Sequence, residues 1–203
     1  MPCTPPRMPS LLRATLLCLL ALLAGGCQRN PGKPLAELTY QGFERVNLNL
    51  YVIKYSADMD LLNVFNRANG EGQIVTLLFC SLDGDPDFSA AHVFNTAFEG
   101  MIGIRGKTPG PPYAYTTLGS LIVNSEQRTT QRDLTPEELS VLLRQRDHVV
   151  CKAFITVFGY KAYYSKPMHV PTADILREVL KTPRVWIKGG GEQYLPPELR
   201  HTP

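Results

Sequence analysis

The sequence predicts an α+β domain, mostly antiparallel sheet with one or two helices packed against it. A β-sandwich with helical insertions is the alternative. Three observations carry this expectation. Residues Val46–Val52 alternate apolar and polar with period two, the pattern of a half-buried strand. Gln73–Leu82 is an apolar run of strand length, and Thr135-Pro136-Glu137-Glu138 is a capping box opening a helix.

Taken in order, Asn30-Pro31-Gly32-Lys33-Pro34 reads as a tether too rich in Pro and Gly to pack, within a linking segment 27–38. A single globular domain is expected over 39–182. After the Val46–Val52 strand, Asp58–Ala68 is ambiguous. Leu61, Leu62 and Phe65 have helical spacing, but Asn69-Gly70 behind them is a hairpin signal. Phe94–Ile104 alternates, placing Phe94, Phe98, Ile102 and Ile104 on one face. Lys107–Pro112 is a stiff proline loop, and Tyr115–Val123 is a further strand. Leu139, Leu142 and Leu143 follow the capping box at helical spacing, which predicts an amphipathic helix over 136–146. His148–Tyr164 is rich in β-branched and aromatic residues, with a turn at Gly159. A second short helix is expected after Thr172, presenting Ile175, Leu176, Val179 and Leu180. From Pro183 to the end the chain reads as a loose tail, part of which Trp186 is expected to dock.

Chemistry is sparse. Asp83-Gly84-Asp85-Pro86-Asp87 is the one dense cluster of carboxylates. Its alternation opens like a calcium loop, but Phe88 stands where such a loop needs glycine and Phe94 where it needs glutamate. The expected role is a solvated acidic turn able to meet a basic partner. His92, His148, His169 and His201 lack ligand spacing on any one element, so no metal is expected. Ser89 beside His92 lacks the strand–elbow–helix context of a serine nucleophile. Glu137 and Glu138 are explained by capping and the helix dipole. No catalytic residue and no cofactor is implied, and the expected class is a binding protein rather than an enzyme. Tyr113 and Tyr115 beside the proline loop have the character of interface anchors, because little freedom is lost when they bind. Asp83, Asp85, Asp87, Tyr113 and Tyr115 are therefore the candidate partner-binding residues.

The amino-terminal stretch carries the most specific signal. Arg7 and Arg13 precede an eleven-residue apolar core, Ala14–Ala24, and residues 1–26 contain no acidic side chain. That core suits a signal peptide and is too short to span a bilayer. It ends in Leu22-Leu23-Ala24-Gly25-Gly26-Cys27, which resembles the lipobox of bacterial lipoproteins, although Ala24 stands where leucine is usual. The resemblance implies that Cys27 is acylated and becomes the first residue of the mature chain, a membrane partner through its lipid. Gln28, in place of the aspartate associated with inner-membrane retention, implies the periplasmic face of the outer membrane.

The whole chain has 21 Lys and Arg against 18 Asp and Glu. Loss of Arg7 and Arg13 leaves a near-neutral protein with no basic stripe, which argues against nucleic acid as a partner. Loss of the signal also removes Cys3 and Cys18, and lipid occupies Cys27. Cys80 and Cys151 remain, a pair in a compartment that permits oxidation. A disulfide is expected, with two buried thiols as the alternative. A lipobox, a short tether and one β-rich domain with a single cysteine pair further resemble the immunity lipoproteins that accompany type VI secretion effectors acting in the periplasm. That resemblance implies capture of a secreted toxin, often a phospholipase, by direct binding. Other expectations consistent with the chain are an assembly lipoprotein of a secretion or envelope complex, and a periplasmic enzyme.

Overall fold

The computed structural model describes residues 28–65, 72–106, 110–125, 130–181, 184–187 and 191–194, the last two spans by their backbone alone. Cys27, the signal segment and the Asn69-Gly70 turn lie outside the described residues. Among the described residues the architecture is mostly antiparallel β-sheet with two helices, and the sheet is curled.

Nine strands form the main sheet: β1 (Leu38–Arg45), β2 (Tyr51–Ala57), β3 (Gln73–Ser81), β4 (Thr96–Ile104), β5 (Tyr113–Asn124), β6 (Gln131–Asp133), β7 (His148–Val157), β8 (Tyr163–Tyr164) and β9 (Met168–Pro171). Their order is β1-β2-β5-β4-β3-β7-β8, with β6 extending the edge of β5 and β9 that of β7. Every pairing is antiparallel. The helices are α1 (Pro136–Leu143) and α2 (Thr172–Val179).

The inward face of each strand follows period two, as in Ile53 and Tyr55, Leu78 and Cys80, Phe98 and Ile102, or Val149, Cys151, Ala153 and Ile155, all buried. Leu139 and Leu143 of α1 and Ile175 and Val179 of α2 close this core. Both helices therefore cover the same face of the sheet. Within it, Gly100 and Gly119 stand opposite each other on β4 and β5. A Cβ on Gly119 would lie 2.1 Å from the Glu99 carbonyl oxygen and 2.8 Å from the Phe98 ring, so glycine lets that ring lie across the strand pair.

The expected capping box is present: the Thr135 hydroxyl accepts the Glu138 amide, and Glu138 accepts the Thr135 amide. The helix ends at Leu143, short of the expected residue 146. At α2 the Arg45 guanidinium supplies what the helix end lacks. It donates to the carbonyls of Val179 and Lys181 and, on its other side, to Asn47 and Leu48 in the β1–β2 turn. Cys80 and Cys151 are directly opposed on β3 and β7, and their sulfurs are bonded.

Four expectations need correction. Residues 28–38 are not a free tether: Arg29 exchanges backbone hydrogen bonds with Gly159 and Lys161, Ala36 is fully buried, and its amide donates to the Tyr163 hydroxyl. A Pro-rich segment lacks internal structure but can still lie along an edge strand. The strand expected over Val46–Val52 is the β1–β2 turn as far as Leu50, whose carbonyl accepts the Val46 amide, and only Tyr51 and Val52 lie in β2; the ambiguous stretch Leu61–Phe65 forms turns, with Asp60 accepting the Leu62 amide. Phe94 precedes β4 and packs apart from Phe98, while Ile104 is exposed at the strand end. Residues 184–194, expected as loose tail, contain a two-stranded pair, β10 (Arg184–Ile187) with β11 (Gly191–Tyr194); the docking of Trp186 lies outside what is described.

Candidate functional site

The face of the sheet away from the helices is unusually apolar. Register places Val52, Leu118, Met101, Leu77, Phe154 and Tyr164 in one row running across β2, β5, β4, β3, β7 and β8. In an antiparallel sheet, directly opposed side chains share a face and touch. Met101 is 73 % exposed and Leu118 49 %. Met101 and Leu118 thus form an adjacent exposed apolar pair continuous with the rest of the row, an arrangement that suits an interaction surface.

Two hollows flank this row and meet at Glu99 and Gln131. The larger, of about 500 Å³, is open and lies along Leu77, Met101, Leu118 and Ser120 up to Arg132 and Asp133. The smaller, of about 280 Å³, is lined by Phe79, Phe88, Phe94, Phe154, Tyr164 and His92. Its walls are held edge to face, with ring centroids 5.6 Å apart for Phe79 and Phe154 and 4.9 Å for Phe88 and Phe94. The Lys152 ammonium lies 4.7 Å from the centre of the Phe88 ring, showing that these rings attract a cation. Glu99 is half-buried on this face, its carboxylate has no hydrogen bond or ion pair among the described residues, and burial alone pushes it above the usual range. The Tyr164 hydroxyl is also buried without a partner among the described residues. Burial and then the charge of Asp87 raise it above the ordinary phenol range.

The acidic turn leads into Phe88, Ser89 and His92 of the smaller hollow, and its alternation has a local cause. Asp83 accepts the Asp85 amide, Asp85 the Asp87 amide, and Asp87 the Ser89 amide, three Asx turns in succession. One oxygen of each carboxylate is thus engaged by backbone. Of the remaining oxygens, Asp85 Oδ2 lies 2.8 Å from His92 Nε2 and Asp87 Oδ2 lies 3.6 Å from His92 Nδ1. The imidazole is fixed between two carboxylates, and the Ser89 hydroxyl turns to Asp87, whose pKa is lowered by the Ser89 backbone and side-chain bonds. This geometry organises the loop; it does not build a serine–histidine pair.

The predicted contact residues are not brought together. Asp83, Asp85 and Asp87 follow β3 beside Ile122 of β5, whereas Tyr113 opens β5 at the other end, nine residues away or roughly 30 Å at strand rise. Tyr115 cannot be a surface anchor: it is 1 % exposed, donating its hydroxyl to Asp60 and accepting the Leu61 amide. Tyr113 packs against the same core from a half-buried position. Sequence reasoning missed Glu99, Met101, Leu118 and the ring cluster. The available signal was that β3 and β4 carry large apolar residues on both alternations, Leu77 and Phe79 as well as Leu78, and Met101 as well as Ile102.

Comparison with protein-family models, with curated proteins and with solved structures finds no match. Function is therefore argued from the site alone. Among the described residues no helix is long and apolar enough to cross a membrane, and no group of three His, Cys, Asp or Glu residues is placed to hold a metal ion.

Proposed function

We propose that the protein is a periplasmic lipoprotein, anchored through Cys27 to the outer membrane, whose exposed sheet face binds a protein partner. Within that class we favour an immunity protein that neutralises a secreted toxin or phospholipase effector by direct binding. The observation that carries the binding role is the exposed Met101–Leu118 pair beside the uncompensated carboxylate of Glu99. Apolar area supplies affinity, and a half-buried acid rewards a partner that brings a cation, so the face suits an apolar surface carrying Arg or Lys. The anchoring role rests on the lipobox-like run before Cys27. We also place the fold in the α+β class rather than among β-sandwiches, a reading supported by both helices covering one face where a sandwich would have a second sheet.

The test is capture from envelope extracts by the tagged chain, followed by reconstitution with each purified candidate. A soluble effector that forms a stoichiometric complex with the native chain, but not with Met101→Lys, supports the immunity reading. Components of a membrane machine lost with the same variant point to an assembly role. Equal binding by the native and Met101→Lys chains removes this face from consideration.

A further inference from the structure

We propose that the β7–β8 turn, Phe158–Lys161, together with the docked segment Arg29–Lys33, is a membrane-seating edge that lies on an anionic lipid surface. The proposal deepens the lipoprotein reading and rests on it for the position of the lipid.

Phe158 is 89 % exposed, the most exposed large apolar side chain among the described residues. Gly159, at φ +80°, closes the turn behind it, and Tyr160 leans inward on Phe65 with ring centroids 5.6 Å apart, so the turn is supported while Phe158 projects. The chain just after Cys27 is pinned to the same turn. The Arg29 amide donates to the Gly159 carbonyl at 3.1 Å, and the Lys161 amide donates to the Arg29 carbonyl at 2.9 Å. Two residue steps separate Cys27 from Arg29, a reach of at most roughly 7 Å. A lipid on Cys27 therefore brings Phe158 to the bilayer surface whatever the domain does elsewhere.

The charges fit such a surface. Arg29, Lys33 and Lys161 are exposed, and none has an ion-pair partner among the described residues. The nearest acids along the segment are at its far end, where Glu37 lies 3.6 Å from Lys166 and its amide is held by Asp58. An exposed aromatic with three free cations beside an acyl chain is the combination that turns a reversible lipid attachment into a stable, oriented one.

The test uses vesicles of phosphatidylethanolamine and phosphatidylglycerol, with pure phosphatidylcholine as the neutral comparison. The C27S chain is expected to sediment with the anionic vesicles and to be released by salt. Adding F158S or K161Q to it lowers partitioning, by about fivefold for the one cation lost; because all these chains share one N-terminus, the signal segment cancels. For the lipidated chain, F158W in a W186F background is expected to give blue-shifted emission quenched by brominated lipid. Unquenched emission from vesicle-bound protein, or equal partitioning of C27S with and without F158S, overturns the proposal. Mass spectrometry of the chain purified from membranes separately reports acylation: an unmodified Cys27 defeats the lipoprotein reading, while the C27S comparison still decides the edge.

Discussion

Cys80 and Cys151 face each other across β3 and β7, so the disulfide joins two central strands at a point where register already pairs them. The bond closes a loop over a sequence separation of 71. Constraint of the unfolded chain makes it worth about 4 kcal/mol in the chain-entropy model. Reduction, or the double substitution to alanine, is expected to lower the unfolding free energy read from urea titration by that amount while leaving the strand signature of the circular dichroism spectrum intact at low temperature.

Glu99 is predicted to trade stability against binding. Its folded pKa is raised by burial, so the folded state holds the proton more tightly than the unfolded chain does. The favourable contribution is fully present below the unfolded carboxyl pKa and is lost as pH rises through the folded one; at neutral pH the charge is a cost. Glu99→Gln should therefore stabilise the fold at pH 7, by less than about 1 kcal/mol because solvent screens a half-exposed group, and raise the melting temperature accordingly. The gain should vanish near pH 3. The same substitution should weaken the partner complex, which isothermal titration would show.

Glu138 has the opposite sign. The Arg132 guanidinium, bound through both nitrogens, and the Thr135 amide hold its carboxyl down at about 2. The stability it contributes is present above the unfolded value and lost as pH falls through about 2. Carboxyl NMR titration should find it the last of the glutamates to protonate. Thr135→Ala, which removes the other half of the capping box, should cost about 1 kcal/mol and fray α1.

Tyr115→Phe separates structure from recognition. It deletes a buried hydroxyl that bonds Asp60 and the Leu61 amide. Leaving that amide unmet should cost about 1–3 kcal/mol, with unchanged affinity per folded molecule. Met101→Lys, on an exposed side chain, should show the reverse: lost binding and an unchanged denaturation curve.

Gly119→Ala tests the close approach of β4 and β5. A Cβ there meets backbone at 2.1 Å, which a side-chain rotation cannot relieve. Loss of several kcal/mol, seen as a collapse of expression or of the thermal transition, is expected.

The contrast between Tyr115 and Met101 shows what the sequence made legible. Apolar run length and β-branched or aromatic content located β3 and β7, and alternation located β4 with the interior pair Phe98 and Ile102, whereas the alternation over Val46–Val52 fell mostly on the β1–β2 turn. Thr135 and Glu138 declared their helix through local chemistry alone. Which face of a doubly apolar strand is covered was not legible, since it depends on where α1 and α2 land, a property of topology. Tyr115 looked like a loop anchor because it borders prolines, yet its spacing with Thr117 and Leu121 is that of the core. The Asp83–Asp87 turn was legible as polar; that its oxygens cap successive amides depends on backbone geometry that composition does not encode.

Strand order has a consequence in time as well as in space. β2 pairs with β5, β3 with β7, and the segment before β1 lies along residues 160–166, so the principal seams join parts of the chain far apart in sequence. Each such seam requires a long loop to close before its contacts repay the lost freedom. The domain should fold on the millisecond-to-second scale of all-β topologies. Until β7 arrives, β3 is left with an open apolar edge, the kind of surface on which a second chain can pair.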